Sequence, residues 1–359
     1  RCSALRMLYL QEDVAPHFLA MLFGAMDELV VGDHWHLSTD VGPIINAPAR
    51  DGIRAHIAKA EAAGRLLKQI AAPESGCFVG PAVIKVNGIG DLEEEVFGPV
   101  LHVATYKASQ LEQIVGDINT TGYGLTFGIH SRIDDRVELL SSNVKAGNIY
   151  VNRNQIGAIV GSQPFGGEGL SGTGPKAGGP TYVSRFTRPE RRLSESVSGA
   201  MAATEDVQRL LDQAQSPSDA LSTRSLPGPT GESNRLADYG RGAVLCLGPS
   251  KDDAAHQANV AARNGCAPVC VAPGLLPEEG IDGVLPPDAL SSLEHFSAVI
   301  CFGDDTQLQA MRRALASRDG PILPLLAEDD FGLRCRLERH ICIDTTAAGG
   351  NATLLAEAS

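Results

Sequence analysis

Residues 156–180 read IGAIVGSQPFGGEGLSGTGPKAGGP, and the fold reading turns on what surrounds this run. Taken alone, a Gly-rich stretch is a flexible turn and PFGG is two tight turns in succession. The chain leading into it is regular. Just before it, GNIYVN (147–152) reads as a strand, RIDDRVELLSSN (132–143) as a helix, TFGIHS (126–131) as a strand and SQLEQIVGDIN (109–119) as a short helix. Further back, FVGPAVIKV (78–86) and VLHVATY (100–106) are strands bracketing the loop GIGDLEEEVFGP. DGIRAHIAKAEAAGRLLKQ is a helix expected to start at Asp51. LRMLYLQ is the first strand, and Asp13 is expected to cap the helix VAPHFLAMLFGAMDELV. In that helix Phe18, Leu22, Met26 and Leu29 recur at helical spacing, and Pro16 falls in the first turn, where a missing N–H costs little. Strands alternating with helices mean an α/β fold.

After the Gly-rich run the texture changes. From Thr187 to about Tyr239 the chain is rich in Ser, Pro, Gly and charge, with one helix expected at EDVQRLLDQAQ, and it reads as a connecting segment. From Ala243 the alternation resumes: AVLCLG, DDAAHQANVAARN, PVCVAP, SAVICFG, DTQLQAMRRALASR and PILPLLA. This predicts a small parallel sheet with crossover helices over 243–326. No GxGxxG follows its first strand, so a nucleotide-type fold is expected here without the nucleotide fingerprint. The chain closes on ICIDTTAAGGNATLLAEAS, a strand followed by a Gly-rich turn. The expected division is 1–186, 187–238, 239–340 and a terminal strand and tail at 341–359.

Composition narrows the function classes. With 43% hydrophobic and 20% charged residues over 359 positions, the chain is long enough for two domains. A net charge of -13 argues against nucleic acid as a partner of this portion, since phosphate affinity comes from Lys and Arg. No apolar run approaches the ~20 residues of a bilayer span. The first residues carry neither a secretory signal nor an initiator Met, so the chain is expected to begin inside a longer protein. Of the eight cysteines, no two form a CxxC pair. Most sit in apolar strand-like runs and read as small buried hydrophobes in a reducing compartment. His34 and His36 in HWH have no third ligand nearby, so no metal site is assigned.

Three segments carry the chemistry: RCSALR (1–6), LEEEVFGPVL (92–101) and the Gly-rich run. Each has a bland alternative: a structural Cys, a solvated acidic loop, and an ordinary turn at Gly157 and Ala158. Their order and spacing resemble the aldehyde dehydrogenase superfamily: Cys–Ser leading into a strand, E-x-F-G-P-V later, P-F-G-G later still. GLTFGIHSRIDDRVE, GNIYVNRNQIGAIVG and QPFGGEGLSGTGPKAGGP are similar to the L-glutamate γ-semialdehyde (pyrroline-5-carboxylate) dehydrogenase module of the bifunctional proline utilization A proteins. GPTGESNRL, the second α/β unit and TTAAGGNATLL resemble the extra C-terminal domain of their long members.

The resemblance implies a partial aldehyde dehydrogenase catalytic domain followed by a small Rossmann-like C-terminal domain. It implies NAD-dependent oxidation of glutamate semialdehyde to glutamate through a cysteine thioester. Cys2 carries over as the nucleophile, and its backbone N–H would help hold the oxyanion. Glu95 carries over as the carboxylate accepting from the ribose hydroxyls beside the nicotinamide. Phe97 is the aromatic flanking them, with a core anchor as its bland alternative. Ser3, Gly157 and Ala158 would hold the substrate α-carboxylate, and Phe165 would pack on the substrate methylenes. The NAD domain, the oxyanion Asn and the general-base Glu all precede the nucleophile in the family, where this chain has a single residue. FAD would belong to a proline dehydrogenase domain absent from this chain. A homodimer or higher oligomer is implied for the parent, in the cytoplasm or peripheral at a membrane. The competing readings are a catalytically incomplete structural or oligomerisation module and a dehydrogenase for another aldehyde.

Overall fold

The computed structural model describes residues 1–187, 190–192, 194 and 199–346. The backbone groups into two compact units, Arg1 with Ser3–Thr121, and Cys2 with the chain from Gly122 onward.

In the first unit β1 (Met7–Gln11) leads to α1 (Ala15–Asp27), α2 (Ala47–Ala62) and β2 (Leu66–Gln69). Then follow β3 (Ala82–Lys85), β4 (Val100–Tyr106) and α3 (Leu111–Thr120). The sheet runs β1-β4-β3-β2, with β1, β4 and β3 parallel and β2 antiparallel at the edge. Side chains alternate across it. Leu10, Val83 and Val103 face α1, whose stripe is Ala15, Leu19, Leu22, Phe23 and Met26. Ala82, Ile84, Val100 and Ala104 face Ile53, Ile57 and Ala60 of α2. Gly98 is where α2 and the loop before β4 meet: a Cβ there would lie 2.4 Å from Ile53 Cδ1.

Two helix starts differ from the expectation. Asp13 does not cap α1; its carboxylate accepts from Gln11 Nε2, Val14 takes the cap position without a side-chain bond, and Pro16 lies in the first turn. α2 begins before Asp51, because Asn46 accepts from the Ala49 N–H and Pro48 supplies a preset φ in the first turn. The helix also ends early. Gly64 takes φ +66°, and Leu66–Gln69, read as helical, turns back as strand β2. Phe18 is 43% exposed, one position off the buried stripe.

The second unit begins with β5 (Tyr123–Gly124), β6 (Thr126–Ile129), α4 (Asp134–Asn143), β7 (Asn148–Val151) and β8 (Glu168–Gly169). It continues with α5 (Thr204–Gln213), β9 (Ser222–Leu226), β10 (Glu232–Gly240), β11 (Ala243–Leu247) and α6 (Lys251–Arg263). It ends with β12 (Ala267–Ala272), β13 (Ile281–Asp282), β14 (Ala298–Cys301), α7 (Asp305–Ala316), β15 (Leu325–Leu326) and β16 (Arg336–Asp344).

The C-terminal sheet is all parallel in the order β13-β12-β11-β14-β15, as the alternation from Ala243 predicts. Leu245, Val269, Val271 and Val299 face α5 and α7 through Val207, Leu211, Leu308 and Met311. Val244, Cys246, Cys270 and Ile300 face α6 through Ala254 and Ala261. Burial on both faces explains why these strands are apolar throughout.

The segment read as connecting does contain α5, but Ser222–Leu226 and Glu232–Gly240 are strands. They join a mixed sheet in the order β6-β7-β16-β10-β9, in which β16 lies parallel to β7 and antiparallel to β10. Their polar side chains hide this from the sequence, because what holds them is backbone pairing, of β9 to β10 and of β10 to β16 about a hundred residues away. PILPLLA contributes only Leu325–Leu326. Of the terminal TTAAGGNATLL run, Ala347 onward lies outside the described residues. No helix among the described residues is long and apolar enough to cross a membrane.

Candidate active site

The first unit brings Glu95 and Phe97 together on one side chain. β1 and β4 are parallel neighbours in the register Met7↔His102, so the segments entering both strands arrive at the same sheet edge. Arg6, just before β1, donates from Nε to Glu95 Oε1 at 3.1 Å, and its guanidinium carbon lies 4.6 Å from the centre of the Phe97 ring. Its Nη2 donates to the Arg1 carbonyl at 3.1 Å. The Arg6 main chain is also held, since its carbonyl accepts from the His102 N–H at 3.0 Å. Phe97 is 58% exposed and is therefore not a core anchor; Val96 and Leu92 fill that role against the α2 face. An exposed carboxylate and an exposed ring, both in contact with one guanidinium, form a polar–aromatic edge.

Cys2 is exposed and carries a free thiol, and Ser3 beside it is buried. Six of the eight cysteines are buried, and burial pushes the Cys301 and Cys342 thiols up to about 12, which keeps them as inert thiols. Exposure therefore separates Cys2 from these six. His34 and His36 are exposed.

The second unit holds Gly157, Ala158 and Phe165 in one irregular stretch between β7 and β8. Gly157 has φ +84°, a conformation that costs an L residue. Ile156 N–H donates to Asn154 Oδ1 at 2.8 Å and Gln163 N–H to the Ile159 carbonyl at 2.7 Å, so the turn is pinned on both sides. The N–H groups of Gly157 and Ala158 between those pins make no hydrogen bond among the described residues. Phe165 exchanges both backbone hydrogen bonds with Ala177.

Sequence reasoning missed Arg6. Its signal was a lone cation entering β1 and a run of three glutamates entering β4, but only the parallel register selects Glu95. It also missed Asn148 and Lys176, which are buried polar residues beneath the Phe165 stretch.

Comparison with known proteins places the chain in a family. A profile of the aldehyde dehydrogenase family matches residues 1–191. The bifunctional protein PutA of Klebsiella aerogenes is 39% identical over 97% of this chain, which spans 30% of that protein's length. A 1-pyrroline-5-carboxylate dehydrogenase of Bacillus thuringiensis is 36% identical over 51% of this chain and 36% of its own. The solved structure of proline utilization A from Corynebacterium freiburgense superposes with a TM-score of 0.66 over 96% of this chain and 36% of its own, at 25% identity.

Proposed function

This chain belongs to the aldehyde dehydrogenase family, and from that premise we propose that it carries the nucleophile of an NAD-dependent L-glutamate γ-semialdehyde dehydrogenase acting in proline catabolism. The names of the PutA and 1-pyrroline-5-carboxylate dehydrogenase relatives support the substrate. The observation that carries the reading is the pairing of exposed Glu95 and Phe97 on Arg6, with the free thiol of Cys2 exposed.

Each residue has a task. The Cys2 thiolate adds to the aldehyde carbon, since a thiolate is strongly nucleophilic and a competent thioester leaving group. The Cys2 N–H stabilises the oxygen that gains charge in that addition. Ser3 and the N–H groups of Gly157 and Ala158 bind the α-carboxylate, and Phe165 packs on the substrate methylenes. Loss of hydride from that carbon turns the Cys2 adduct into a thioester, which water hydrolyses to the carboxylate, freeing Cys2.

The residues present suit a nicotinamide nucleotide: Glu95 has one carboxylate oxygen on Arg6 and a second to accept a ribose hydroxyl, and Phe97 offers an open face. When bound, NAD supplies the hydride acceptor. A flavin would belong to a proline dehydrogenase part of the complete enzyme. We assign residues 1–186 to the catalytic domain and 243–326 to the Rossmann-like parallel sheet; α5 packs on that sheet, and β9, β10 and β16 join β6 and β7, so these segments act as neither linker nor tail.

The test is a steady-state assay of the complete gene product with glutamate semialdehyde and NAD. Cys2→Ala abolishes reduction of NAD, and mass spectrometry finds no acyl adduct on that variant. Turnover that survives Cys2→Ala, or a wild type that ignores the semialdehyde, sinks the reading.

A further inference from the structure

We propose that Asn148 and Lys176 are positioning residues that clamp the peptide groups on either side of Phe165 and so fix that ring for the aldehyde. The proposal rests on the reading of Phe165 as a substrate-contacting residue.

Asn148 opens β7 and is fully buried. Its Nδ2 donates to the Pro164 carbonyl at 2.8 Å, the peptide group just before Phe165. Its Oδ1 accepts from the Gly166 N–H at 3.1 Å, the peptide group just after. The same oxygen accepts from Lys176 Nζ at 3.0 Å, and Nζ also donates to the Gly166 carbonyl. With the Phe165–Ala177 exchange, the backbone from the Pro164 carbonyl to the Gly166 carbonyl has its polar groups held on both flanks of the ring. No regular element does this; the stretch is irregular, and two side chains replace a ladder.

The packing around the clamp is equally tight. A Cβ on Gly147 would sit 2.0 Å from the Gly166 carbonyl oxygen and 2.7 Å from Lys176 Nζ. Only glycine before Asn148 lets the clamp close. On the far side, Glu338 of β16 accepts from the Lys176 N–H at 2.9 Å and from the Thr181 hydroxyl at 2.6 Å, which fixes the turn carrying Lys176.

A lysine 2% exposed is an expensive way to fill volume, because desolvation disfavours its charge and a methionine of similar shape has no such penalty. That penalty draws the amine down to about 7, with Glu338 and Glu168 pulling the other way. The neutral amine still has two N–H groups for its two acceptors, so the clamp holds with or without the charge. What methionine cannot supply is donors, and without them Gly166 O loses its partner.

The test uses the complete gene product with fluorophenylalanine incorporated and the position-165 resonance assigned by Phe165→Leu. In Lys176→Met that resonance broadens or shifts. The KM for glutamate semialdehyde rises about tenfold, the scale of one or two lost buried hydrogen bonds. The KM for NAD and the melting temperature stay near wild type. If Lys176→Met does not fold, Asn148→Asp keeps the volume and the acceptor but loses the donor to Pro164, and is read the same way. An unmoved fluorine signal with an unchanged aldehyde KM overturns the clamp. So does a loss that falls equally on NAD and aldehyde and follows the melting temperature. If the wild type oxidises no semialdehyde, the proposed function fails, and the fluorine signal still decides the clamp.

Discussion

Arg6 Nε donates to Glu95 Oε1 at 3.1 Å across 89 positions of sequence, and the same guanidinium covers one face of Phe97. Both residues proposed to meet the cofactor therefore depend on one cation from outside their own segment LEEEVFGPVL, the last residue of RCSALR. The Arg6 side chain is 20% exposed and that of Glu95 57%, so the ion pair by itself is modest. Arg6→Lys keeps the charge but loses the planar stack and the Nε donor. We expect the KM for NAD to rise about threefold to tenfold, the combined scale of a half-exposed pair and a cation–π contact. The KM for aldehyde should change less. Equal changes in both, measured by steady-state kinetics on the complete gene product, would assign Arg6 to folding alone.

Ser3→Ala tests the carboxylate anchor. Losing one donor to a charged group costs about 1.5–3 kcal/mol, or roughly 10- to 150-fold in kcat/KM for glutamate semialdehyde. An aldehyde of similar length without a carboxylate should lose far less. If both substrates suffer alike, Ser3 serves the position of Cys2 and the semialdehyde assignment loses its physical support.

His340 predicts a stability profile with pH. Burial first, then the nearby Lys176, pulls its imidazole down from 6.5 to about 4. Between those values the unfolded chain binds a proton that the folded chain refuses, so stability is full above 6.5 and falls as pH drops toward 4. The contribution is about 3 kcal/mol by the size of the shift. Urea unfolding of wild type and His340→Asn at pH 4.5 and 6.5 should show a smaller acid loss in the variant. Parallel profiles would mean His340 titrates normally.

The C-terminal sheet has the strand order of a dinucleotide-binding fold, yet we expect it to bind none. Ser250 already caps α6 by accepting from the Asp253 N–H, and Asp252 and Asp253 put negative charge where a phosphate would approach. The Gly248 turn is also filled, since a Cβ there would lie 2.3 Å from the Ala254 N. Calorimetric titration of NAD onto the 359-residue chain should show no heat attributable to this unit. Micromolar binding lost on mutating the Gly248–Asp253 turn would contradict the prediction.

The secondary structure was legible wherever apolar residues carried a period. The parallel C-terminal sheet could be read because both faces of its central strands are buried, so β11, β12 and β14 are apolar at every position. α2 could be placed but not bounded: its cap is Asn46, and the apolar pattern begins only at Ile53. β9 and β10 were not legible at all, since STRSL and ESNRLADYG carry polar side chains and gain their strand character from pairing with each other and with β16.

A Cys–Ser pair, a glutamate before FGP and a PFGG run, in that order, were enough to point to the aldehyde dehydrogenase family and to propose its reacting groups. Residue type suffices there, because nucleophilicity and carboxylate charge belong to single side chains. Tertiary structure alone decided which neighbours hold those groups. That Arg6 chooses Glu95 over Glu93 and Glu94 follows from the Met7↔His102 register of two parallel strands. That Asn148 and Lys176 grip the flanks of Phe165 follows from a buried geometry in which hydrogen-bond partners are set by distance and angle. Such selection depends on where the backbone brings groups together, and no local pattern of residues encodes it.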